Sequence, residues 1–387
     1  MIYKSYSIKQ ISKSTQIDFL FELDRKQFQT KVVFKNTKPT KNLDNLVFHL
    51  GLIEMLNYWK LKPSNEISIE AGDLDKEQVK FLKKVIIHGM GEFIYKNKLE
   101  FPKLKITSGK DKEILKPINP RLKERILVPI GGGKDTPLTI DLLKKHKLGT
   151  YILNPKKPQL DIAKLSNMKD IVIVERTLDK KIFDKKYLNG HVPFSAFLAF
   201  LGLIVARTHN YNTIAFSWEK SSNEGNVKYR GKNINHQWSK SQEFEDLFRK
   251  YSKKYLIKSI KFKNPLRKYT ETEIIKKFAE LKQYHSSFVS CNRAYTIKPT
   301  NTKWCGECSK CLFVYASLFP YLSKEELYKI FKKDLFEDKN LIPVAKQLIS
   351  NKPFECVGTI KETKEIFKEC IKKDNQSIVL RKIARLI

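Results

Sequence analysis

The chain has 387 residues, 41% of them hydrophobic, and includes 24 Phe and 16 Tyr, a composition that excludes a disordered protein and suffices for two or three domains. Its formal net charge is +34, yet only 11 of the 75 basic residues are Arg, the residue type that bidentate base and phosphate recognition prefers. The charge therefore indicates attraction to anionic ligands and does not favour a dedicated nucleic-acid-binding protein.

The sequence predicts neither export nor membrane insertion. Its first residues lack a basic stretch followed by an apolar one, and the longest apolar run, Val192–Ala206, has 15 residues, too few to span a bilayer. The cysteines do not resemble a secreted disulfide scaffold, because four of the six lie within one short segment. We therefore expect a cytoplasmic protein with no membrane association.

Residues 1–120 are predicted to form an N-terminal α+β domain that binds the substrate. Apolar alternation predicts strands over 18–23 and 29–34, joined as a hairpin. A helix near 43–50, a strand over 67–71 and a long helix over 76–98 follow. Because Gly89 and Gly91 lie inside that long helix, we expect them either to end it or to allow close packing. The polar stretch 103–121 is predicted to be a linker.

Residues 121–290 are predicted to form an α/β domain in which helices cover both faces of a parallel sheet. The apolar run 126–130 is typical of a buried strand, and three glycines and a helix follow it. Further strands are expected over 150–153, 170–174 and 213–217, with helices over 158–165 and 193–208. A capping-box string at 270–273 predicts one more helix.

Residues 291–387 are predicted to hold a cysteine knot and a helical C-terminal cap. Four cysteines lie close together in the sequence, at Cys291, Cys305, Cys308 and Cys311. Thiolates at this spacing suit tetrahedral Zn²⁺, while a set of reduced thiols and an iron–sulfur cluster are the alternatives. Cys356 and Cys370 are isolated in the sequence and are predicted to be free. Helical periodicity continues to residue 387.

The three glycines open the segment with the clearest chemistry: Gly131, Gly132, Gly133, Lys134, Asp135 and Thr136. The segment is not a Walker A loop, because Asp135 follows Lys134, and it is not a dinucleotide fingerprint, because Thr136 stands in place of the third glycine. Consecutive glycines let backbone N–H groups converge on an anion at a helix N-terminus. Asp135 fits such a site when Mg²⁺ lies between its carboxylate and the phosphates.

This segment resembles the Ser-Gly-Gly-x-Asp-Ser loop of the PP-loop ATP pyrophosphatases, with Gly131 for the first Ser and Thr136 for the last. The resemblance implies that the protein uses ATP and Mg²⁺ and cleaves ATP between its α and β phosphates. It also implies a PP-loop type of parallel sheet. The change from Ser to Gly removes one hydroxyl from the phosphate cradle but keeps its N–H groups.

A collinear set of strings resembles the UDP-N-acetylmuramoyl-L-alanyl-L-glutamate epimerase family from about residue 45 to about residue 340. The strings are 88–93, 130–135, 190–193, 215–221, 235–241 and 304–311. The resemblance implies inversion of the terminal glutamate of the nucleotide-linked dipeptide to the D form, with release of AMP and pyrophosphate, in peptidoglycan precursor synthesis. It also implies a functional partner, the ligase that adds L-glutamate to UDP-muramoyl-L-alanine.

This reaction needs an activated carboxylate and two proton-transfer groups, either two residues or one residue and a water. A Cα–H next to a carboxylate is a poor acid, and adenylation of the carboxylate removes that charge so that an enolate can form between a base and an acid. The candidate catalytic residues are Lys134, Asp135, His191, Glu219 and His236. Ser217 and Asn223 are further candidates for nucleotide binding, because they lie at or after the carboxyl end of a predicted strand, where open α/β sheets bind ligands.

Two other functions are compatible with the nucleotide motif. A PP-loop thiolase or ligase that modifies tRNA would account for the charge, but no cysteine lies between residues 1 and 290 to carry sulfur near the nucleotide. A non-catalytic nucleotide-binding regulator is disfavoured, because Asp135 and the glycines are all present.

Overall fold

The structure, a computed structural model, describes residues 1–109, 112–295 and 303–387. Within these ranges twelve strands form a ten-stranded mixed sheet and a two-stranded ribbon. The strands are β1 (Ile2–Ile11), β2 (Ser14–Leu23), β3 (Lys26–Phe34), β4 (Glu66–Ile69), β5 (Lys105–Ser108), β6 (Ile126–Pro129), β7 (Leu148–Leu153), β8 (Ile171–Leu178), β9 (Thr213–Ala215), β10 (Val227–Tyr229), β11 (Lys232–Ile234) and β12 (Lys261–Lys263). The α-helices are α1 (Asp44–Glu54), α2 (Leu56–Trp59), α3 (Lys76–Gly89), α4 (Gly91–Lys96), α5 (Asp135–Leu143), α6 (Lys157–Leu165), α7 (Phe194–Thr208), α8 (Gln242–Tyr251), α9 (Glu271–Ala279), α10 (Ser309–Leu318), α11 (Lys324–Phe331), α12 (Ile342–Ser350), α13 (Ile360–Lys373) and α14 (Ile378–Ile383).

One half of the large sheet is parallel, as the sequence predicts for the middle of the chain. Its strand order is β12, β9, β6, β7, β8, and all neighbouring pairs are parallel. The strand that comes first in the chain, β6, lies in the middle, so the chain order runs outward from it in both directions. Loops that leave the carboxyl ends of β6 and β9 therefore diverge, which opens the crevice where such sheets bind ligands.

The other half of the sheet comes from the N-terminal region. The predicted hairpin is confirmed as β2 and β3, which pair antiparallel, and β3 then pairs antiparallel with β8 over Thr30–Phe34 and Val174–Leu178. The order continues through β2, β1, β4 and β5. The N-terminal strands thus extend the same sheet, while the boundaries near residues 120 and 290 stay predictions. The linker prediction is wrong at β5, a short edge strand too polar to be recognised.

Helices cover both faces of the parallel half, as predicted. Along β6, Leu127 packs into a core formed with α1, α7 and α8, whereas Ile126 and Val128 pack into a second core formed with α9 and α10. This alternation follows from the two-residue period of a strand. The apolar run 192–206 forms the buried helix α7. No helix in the described ranges is long and apolar enough to cross a membrane.

The helix predicted over residues 76–98 is divided at Met90. Helix α3 ends at Gly89 and α4 begins at Gly91, so the glycines do end the first helix. Gly89 also allows the close packing that was the other expectation, because a Cβ at this position would lie 2.8 Å from Pro193 Cβ. The break places Glu92 in the first turn of α4, at the start of a new helix direction.

The C-terminal region is helical, as predicted, and is built from α10 to α14. Its apolar side chains join those of β6, β7 and α9 in one core. The loop between α12 and α13 extends back toward the parallel half of the sheet, and Asn226 Nδ2 donates to Pro353 O at 2.7 Å and Lys352 O at 3.3 Å. The cap therefore contributes residues to the crevice as well as covering the sheet.

Candidate functional site

The glycine loop connects β6 to α5 in a conformation that requires glycine. Gly132 has φ +90°, and a Cβ there would overlap the Tyr295 hydroxyl. A Cβ at Gly133 would lie 2.8 Å from Ser290 Oγ. The Gly131 N–H donates to Thr136 Oγ1 at 3.3 Å, so the predicted hydroxyl closes the loop. The loop ends at the N-terminus of α5, where the helix dipole favours an anion.

Lys134 is a buried cation held between two carboxylates. Its Nζ lies 2.5 Å from Asp135 Oδ1 and 2.6 Å from Glu271 Oε1, at the start of α9. Burial acts to lower the pKa of Lys134, but attraction to Asp135, Glu271 and Glu219 raises it above its ordinary value. The lysine therefore stays charged, and it orients Asp135, whose carboxylate remains partly exposed.

Glu219 is a buried carboxylate just past β9. It is 4% exposed, and its Oε1 accepts from Gln237 Nε2 at 2.9 Å. Burial acts to raise the pKa of Glu219, but Lys240 and Lys134 lower it to about 2. Glu219 is thus ionised at neutral pH and is a poor proton acceptor. This favours a role in ligand binding over a role as a general base.

Several buried oxygens in this region have no hydrogen-bond partner within the described part of the chain. They are Ser217 Oγ, Glu219 Oε2, Ser221 Oγ and Gln237 Oε1. Buried polar atoms are normally satisfied, so a concentration of orphaned acceptors and hydroxyls at the carboxyl end of β9 is what a polar ligand site provides. Asn223, by contrast, is exposed, and its Oδ1 accepts from the Gln242 N–H at 2.7 Å.

Arg267 and Glu271 belong to the site although the sequence did not single them out. Arg267 donates to Glu219 O at 2.8 Å and Lys240 O at 2.6 Å, and it pairs with Glu245 at 2.9 Å. It therefore fixes the two backbone segments that carry Glu219 and Lys240. The capping-box string predicted the start of α9, but nothing local indicated that Glu271 would meet Lys134.

The predicted histidines His191 and His236 come together at Glu92. His236 Nδ1 lies 2.5 Å from Glu92 Oε2, His191 Nδ1 lies 3.4 Å from the same oxygen, and the two imidazole rings are 4.5 Å apart. The segment before His191 is held by Lys60 Nζ, which donates to Asn189 Oδ1 at 2.7 Å. Glu92 lies in the glycine-containing string 88–93 that the sequence analysis noted, although it was not named as a site residue.

This cluster has the composition of a metal site, but its geometry is that of a charged hydrogen bond. The ligand atoms of Glu92, His191 and His236 all lie within 4.8 Å of one another. However, 2.5 Å between His236 Nδ1 and Glu92 Oε2 is too short for two ligands that each lie about 2.0–2.2 Å from a common zinc ion in a tetrahedral site. It suits a charge-assisted hydrogen bond.

Cys356, isolated in the sequence, lies beside this cluster in the structure. Lys240 Nζ lies 3.5 Å from Cys356 Sγ, and the thiol also interacts electrostatically with His236. Burial acts to raise the pKa of Cys356, but Lys240 and His236 lower it to about 6. Burial likewise acts to lower the pKa of His236, whereas Cys356 and Glu92 raise it to about 9. At neutral pH the pair is therefore a thiolate and an imidazolium.

The four predicted metal ligands, Cys291, Cys305, Cys308 and Cys311, converge at the start of α10. Their sulfur atoms lie within 4.8 Å of one another, with 3.6 Å between Cys305 Sγ and Cys311 Sγ. Four Zn–S bonds of about 2.3 Å would place sulfurs about 3.8 Å apart in a tetrahedron, so the cluster fits a metal. All six cysteines of the chain are free of disulfides, as expected for Cys356 and Cys370.

Comparison with known proteins bears on this arrangement of residues. Residues 1–263 match the MurL N-terminal domain, and residues 287–385 match the MurL C-terminal domain. A protein of Xanthomonas oryzae named UDP-N-acetyl-alpha-D-muramoyl-L-alanyl-L-glutamate epimerase is 29% identical over 81% of this chain and 72% of its own length. Proteins with the same name from Micromonospora sp. and Salinispora tropica are each 27% identical over 93% of this chain and over 84% and 82% of their own lengths.

A solved structure described as a subunit of tRNA methyltransferase from Methanocaldococcus jannaschii covers 41% of this chain at 16% identity. Its TM-score is 0.23, so the likeness carries no argument. The two domain matches together cover nearly the whole chain, and they confirm the family resemblance seen in the motifs. The chain belongs to the MurL family.

Proposed function

We propose that this protein is the epimerase that converts the terminal L-glutamate of UDP-N-acetylmuramoyl-L-alanyl-L-glutamate to D-glutamate in peptidoglycan precursor synthesis. The observation that carries the proposal is the match to the MurL family along both parts of the chain. Three relatives that bear the epimerase name, each aligned over 81% or more of this chain, support the same substrate.

The glycine loop supports ATP as the second substrate. The N–H groups of Gly131–Gly133 and the N-terminus of α5 suit phosphate oxygens, and Asp135 offers a partly exposed carboxylate to Mg²⁺. When bound, Mg²⁺ would neutralise phosphate charge. Buried Lys134 would hold Asp135 in place. Asp135 and the loop would orient ATP so that the glutamate α-carboxylate attacks the α-phosphate and pyrophosphate leaves.

Adenylation makes the later proton transfer feasible. It replaces the negative charge of the α-carboxylate by a neutral acyl group, whose carbonyl accepts the electron pair of the departing Cα proton. The orphaned polar atoms beyond β9 and the ionised Glu219 would bind polar groups of the ligand. Water then cleaves the adenylate and releases AMP. A ligase that adds L-glutamate to the UDP-muramoyl-L-alanine precursor would supply the substrate.

The cysteine cluster supports a structural metal, and we include Zn²⁺ at Cys291, Cys305, Cys308 and Cys311 in the proposal. A metal held by four thiolates has no open position for substrate, so its contribution would be folding energy. The cluster caps α10, whose Lys310 N–H donates to Glu355 Oε2 at 2.6 Å. The metal would thus fix the segment that carries Cys356.

The test of the function is a reaction of the purified protein with UDP-N-acetylmuramoyl-L-alanyl-L-glutamate, ATP and Mg²⁺ in D₂O. We expect AMP, pyrophosphate and a D-glutamyl product that carries deuterium at Cα, as read by chiral analysis and mass spectrometry. A reaction without ATP is the control, and it should leave the original hydrogen at Cα without deuterium exchange. AMP formation that depends on tRNA, with no exchange at Cα, would contradict the proposal and favour a tRNA-modifying enzyme.

A further inference from the structure

We propose that Cys356 is the base that takes the Cα proton from the activated glutamate, with His236 as its electrostatic partner and Glu92 as the residue that positions His236. The inference deepens the proposed function and rests on it. It assigns a catalytic role to a cysteine that has no sequence motif around it, in a loop of the C-terminal helical region between α12 and α13.

The geometry is that of a relay of three side chains. Glu92 Oε2 accepts from His236 Nδ1 at 2.5 Å, Lys240 Nζ lies 3.5 Å from Cys356 Sγ, and His236 interacts electrostatically with the Cys356 thiol. This is the general pattern in which a nucleophile or base is paired with a histidine that a third group orients. The three residues come from α4, the turn after β11 and the loop before α13, so only the folded chain assembles them.

The backbone around the relay is held on both sides. Asn226 Oδ1 accepts from the His236 N–H at 2.7 Å, while Asn226 Nδ2 donates to Pro353 O at 2.7 Å. One amide thus fixes the histidine segment against the segment that leads to Cys356. On the other side Glu355 accepts from the Lys310 N–H at 2.6 Å. A sulfur held in this way can meet a bound substrate without large rearrangement.

The charges that face the sulfur favour a thiolate. They are the cations Lys240, Lys310, Lys352 and His236. His236 in turn faces Glu92, His191 and Glu355. An anion surrounded by cations is stabilised, and the thiolate is the basic form of cysteine. The remaining positive charge would attract the carboxylates of the glutamyl substrate.

The neighbouring groups are weaker candidates for the base. Burial and repulsion from His236 lower the pKa of His191 to about 3, so its neutral ring is too weakly basic. His236 is protonated at neutral pH, since its pKa is raised to about 9. Glu219, with a pKa of about 2, is weaker still. Cys356 is the group in this cluster that is both deprotonated and basic at neutral pH.

The relay adjoins the nucleotide site. Lys240 is attracted to Cys356, Glu219 and Asp135, so one ammonium group faces both the thiol and the acids beside the glycine loop. Glu219 Oε2 and Gln237 Oε1, on residues 4% and 2% exposed, have no hydrogen-bond partner in the described ranges. These orphaned oxygens, one of them on an acid that Lys240 faces, are the second indication that a polar ligand lies there.

The proposed step conserves atoms and electrons. The Cα–H bond of the glutamyl adenylate breaks, its proton forms an S–H bond with Cys356, and its electron pair moves to the acyl oxygen as an enolate. Water on the opposite face then supplies a proton to Cα and gives the D centre. Hydrolysis of the adenylate releases AMP, and the Cys356 thiol loses its proton to solvent, which neutralises the hydroxide left by the water and restores the thiolate.

The experiment measures two partial reactions on Cys356→Ser. Substrate-dependent exchange of pyrophosphate into ATP reports adenylation, and deuterium entry at Cα reports proton transfer. Because a serine hydroxyl stays protonated, we expect Cα exchange to fall by about 10²- to 10⁴-fold while pyrophosphate exchange stays within about threefold. Cys370→Ser is the matched control, since Cys370 is buried in α13, where its thiol donates to Ala316 O. It should keep both reactions.

The positioning role of Glu92 is tested by a pH profile. Parent Cα exchange should rise as the pH passes about 6, where the Cys356 thiolate forms, and fall above about 9, where the His236 imidazolium is lost. Glu92→Gln removes the charge that stabilises the imidazolium, so the upper limb should move to lower pH. A structural role alone would lower the rate without moving this limb.

Three results separate the inference from the function on which it rests. A parent enzyme without Cα exchange contradicts the epimerase proposal. A parent that exchanges, together with a Cys356→Ser variant within about threefold of it, overturns the inference and leaves the function intact. A second metal equivalent in the parent that His236→Gln loses would also overturn the inference, because a metal-bound imidazole is not an imidazolium.

Discussion

The two ends of the crevice are built with opposite charge patterns. At the glycine loop a buried cation, Lys134, lies between the carboxylates of Asp135 and Glu271. At the other end the Cys356 thiol lies near Lys240, Lys310 and His236, whose positive charges outweigh burial and lower its pKa to about 6. The first end has an excess of acids, and the second has an excess of cations.

This difference matches what each end would bind. Under the proposed function, acids next to phosphates would require a bridging divalent cation, so Mg²⁺ and the triphosphate would bind at the first end. Excess cations attract carboxylates, which places the glutamyl group at the second. Lys240 faces Asp135, Glu219 and Cys356, so it lies where a carboxylate and an α-phosphate would meet.

The largest effect is expected from removing an acid at the first end. Asp135→Ala should lower AMP formation by more than about 10³-fold, because the carboxylate is the group that would place the metal on the phosphates. Thiol titration of Cys356 should be nearly unchanged. Thr136→Ser is the control, since it keeps the hydroxyl that accepts from Gly131, and it should be mild. Equal AMP yields from Asp135→Ala and the parent would refute the assignment.

The second effect tests the cysteine cluster, which holds the start of α10 next to both ends of the crevice. Lys310, in the first turn of α10, faces both Glu271 and Cys356, and the cysteine cluster holds that turn. Cys308→Ser should release zinc and lower the free energy of unfolding by more than about 4 kcal/mol, because a structural metal contributes folding energy directly. Metal analysis and thermal melting measure both. A parent purified under reducing conditions without metal would contradict the zinc assignment.

A smaller effect is expected on the pKa of Cys356, at the second end of the crevice. Lys240→Met removes the ammonium 3.5 Å from Cys356 Sγ, and loss of such a charge raises a thiol pKa by about 1–3 units. The midpoint of the alkylation rate against pH, measured at Cys356 by mass spectrometry, should move upward from about 6. Lys276→Met, on the exposed side of α9, is the control. An unmoved midpoint would show that Lys240 does not hold the thiolate.

The smallest effect concerns the charge of the whole chain. With a net charge of +34, the protein should attract ATP and the UDP-linked substrate over distances that salt screens. KM for both substrates should rise about two- to fivefold between low and physiological ionic strength, with kcat little changed. RNA added at low salt should not inhibit strongly. Strong inhibition would indicate that nucleic acid competes for the crevice.

The sequence predicted the glycine-loop end of the crevice far better than the Cys356 end. The reason is that the residues of the glycine-loop end lie close together in the sequence. Strand, glycines, acid and helix lie within about twenty residues, and their backbone requirements can be recognised without the fold. The cysteine cluster is nearly as local. The four residues at the second end come from positions 92, 191, 236 and 356, which meet only through the sheet and the helical cap. Two of them, His191 and His236, were found because they lie in distinctive polar strings.

Cys356 and Glu271 had no such signal. Cys356 has no second cysteine or histidine near it in the sequence, and Glu271 appears there as an ordinary residue of a capping box. In the fold, the missed elements were β1, the short strands β5, β10, β11 and β12, and the helices α2 and α8. β1 packs Tyr3 into the core but leaves its end at Lys9–Ile11 exposed, so its alternation is weak. The pairing of β1 and β5 depends on neighbours distant in sequence, which propensity does not encode.

The antiparallel pairing of β3 with β8 limits how the gene for this protein can be divided or recombined. Thr30–Phe34 and Val174–Leu178 satisfy one another's backbone groups across it. A gene fragment that encoded either side alone would produce a sheet with a long open edge, the kind of surface that recruits other chains into aggregates. Recombination that exchanged one side would have to preserve this register, or every side chain of the joining strand would change face. The parallel half and the N-terminal half of the sheet are therefore expected to pass between genomes as one unit.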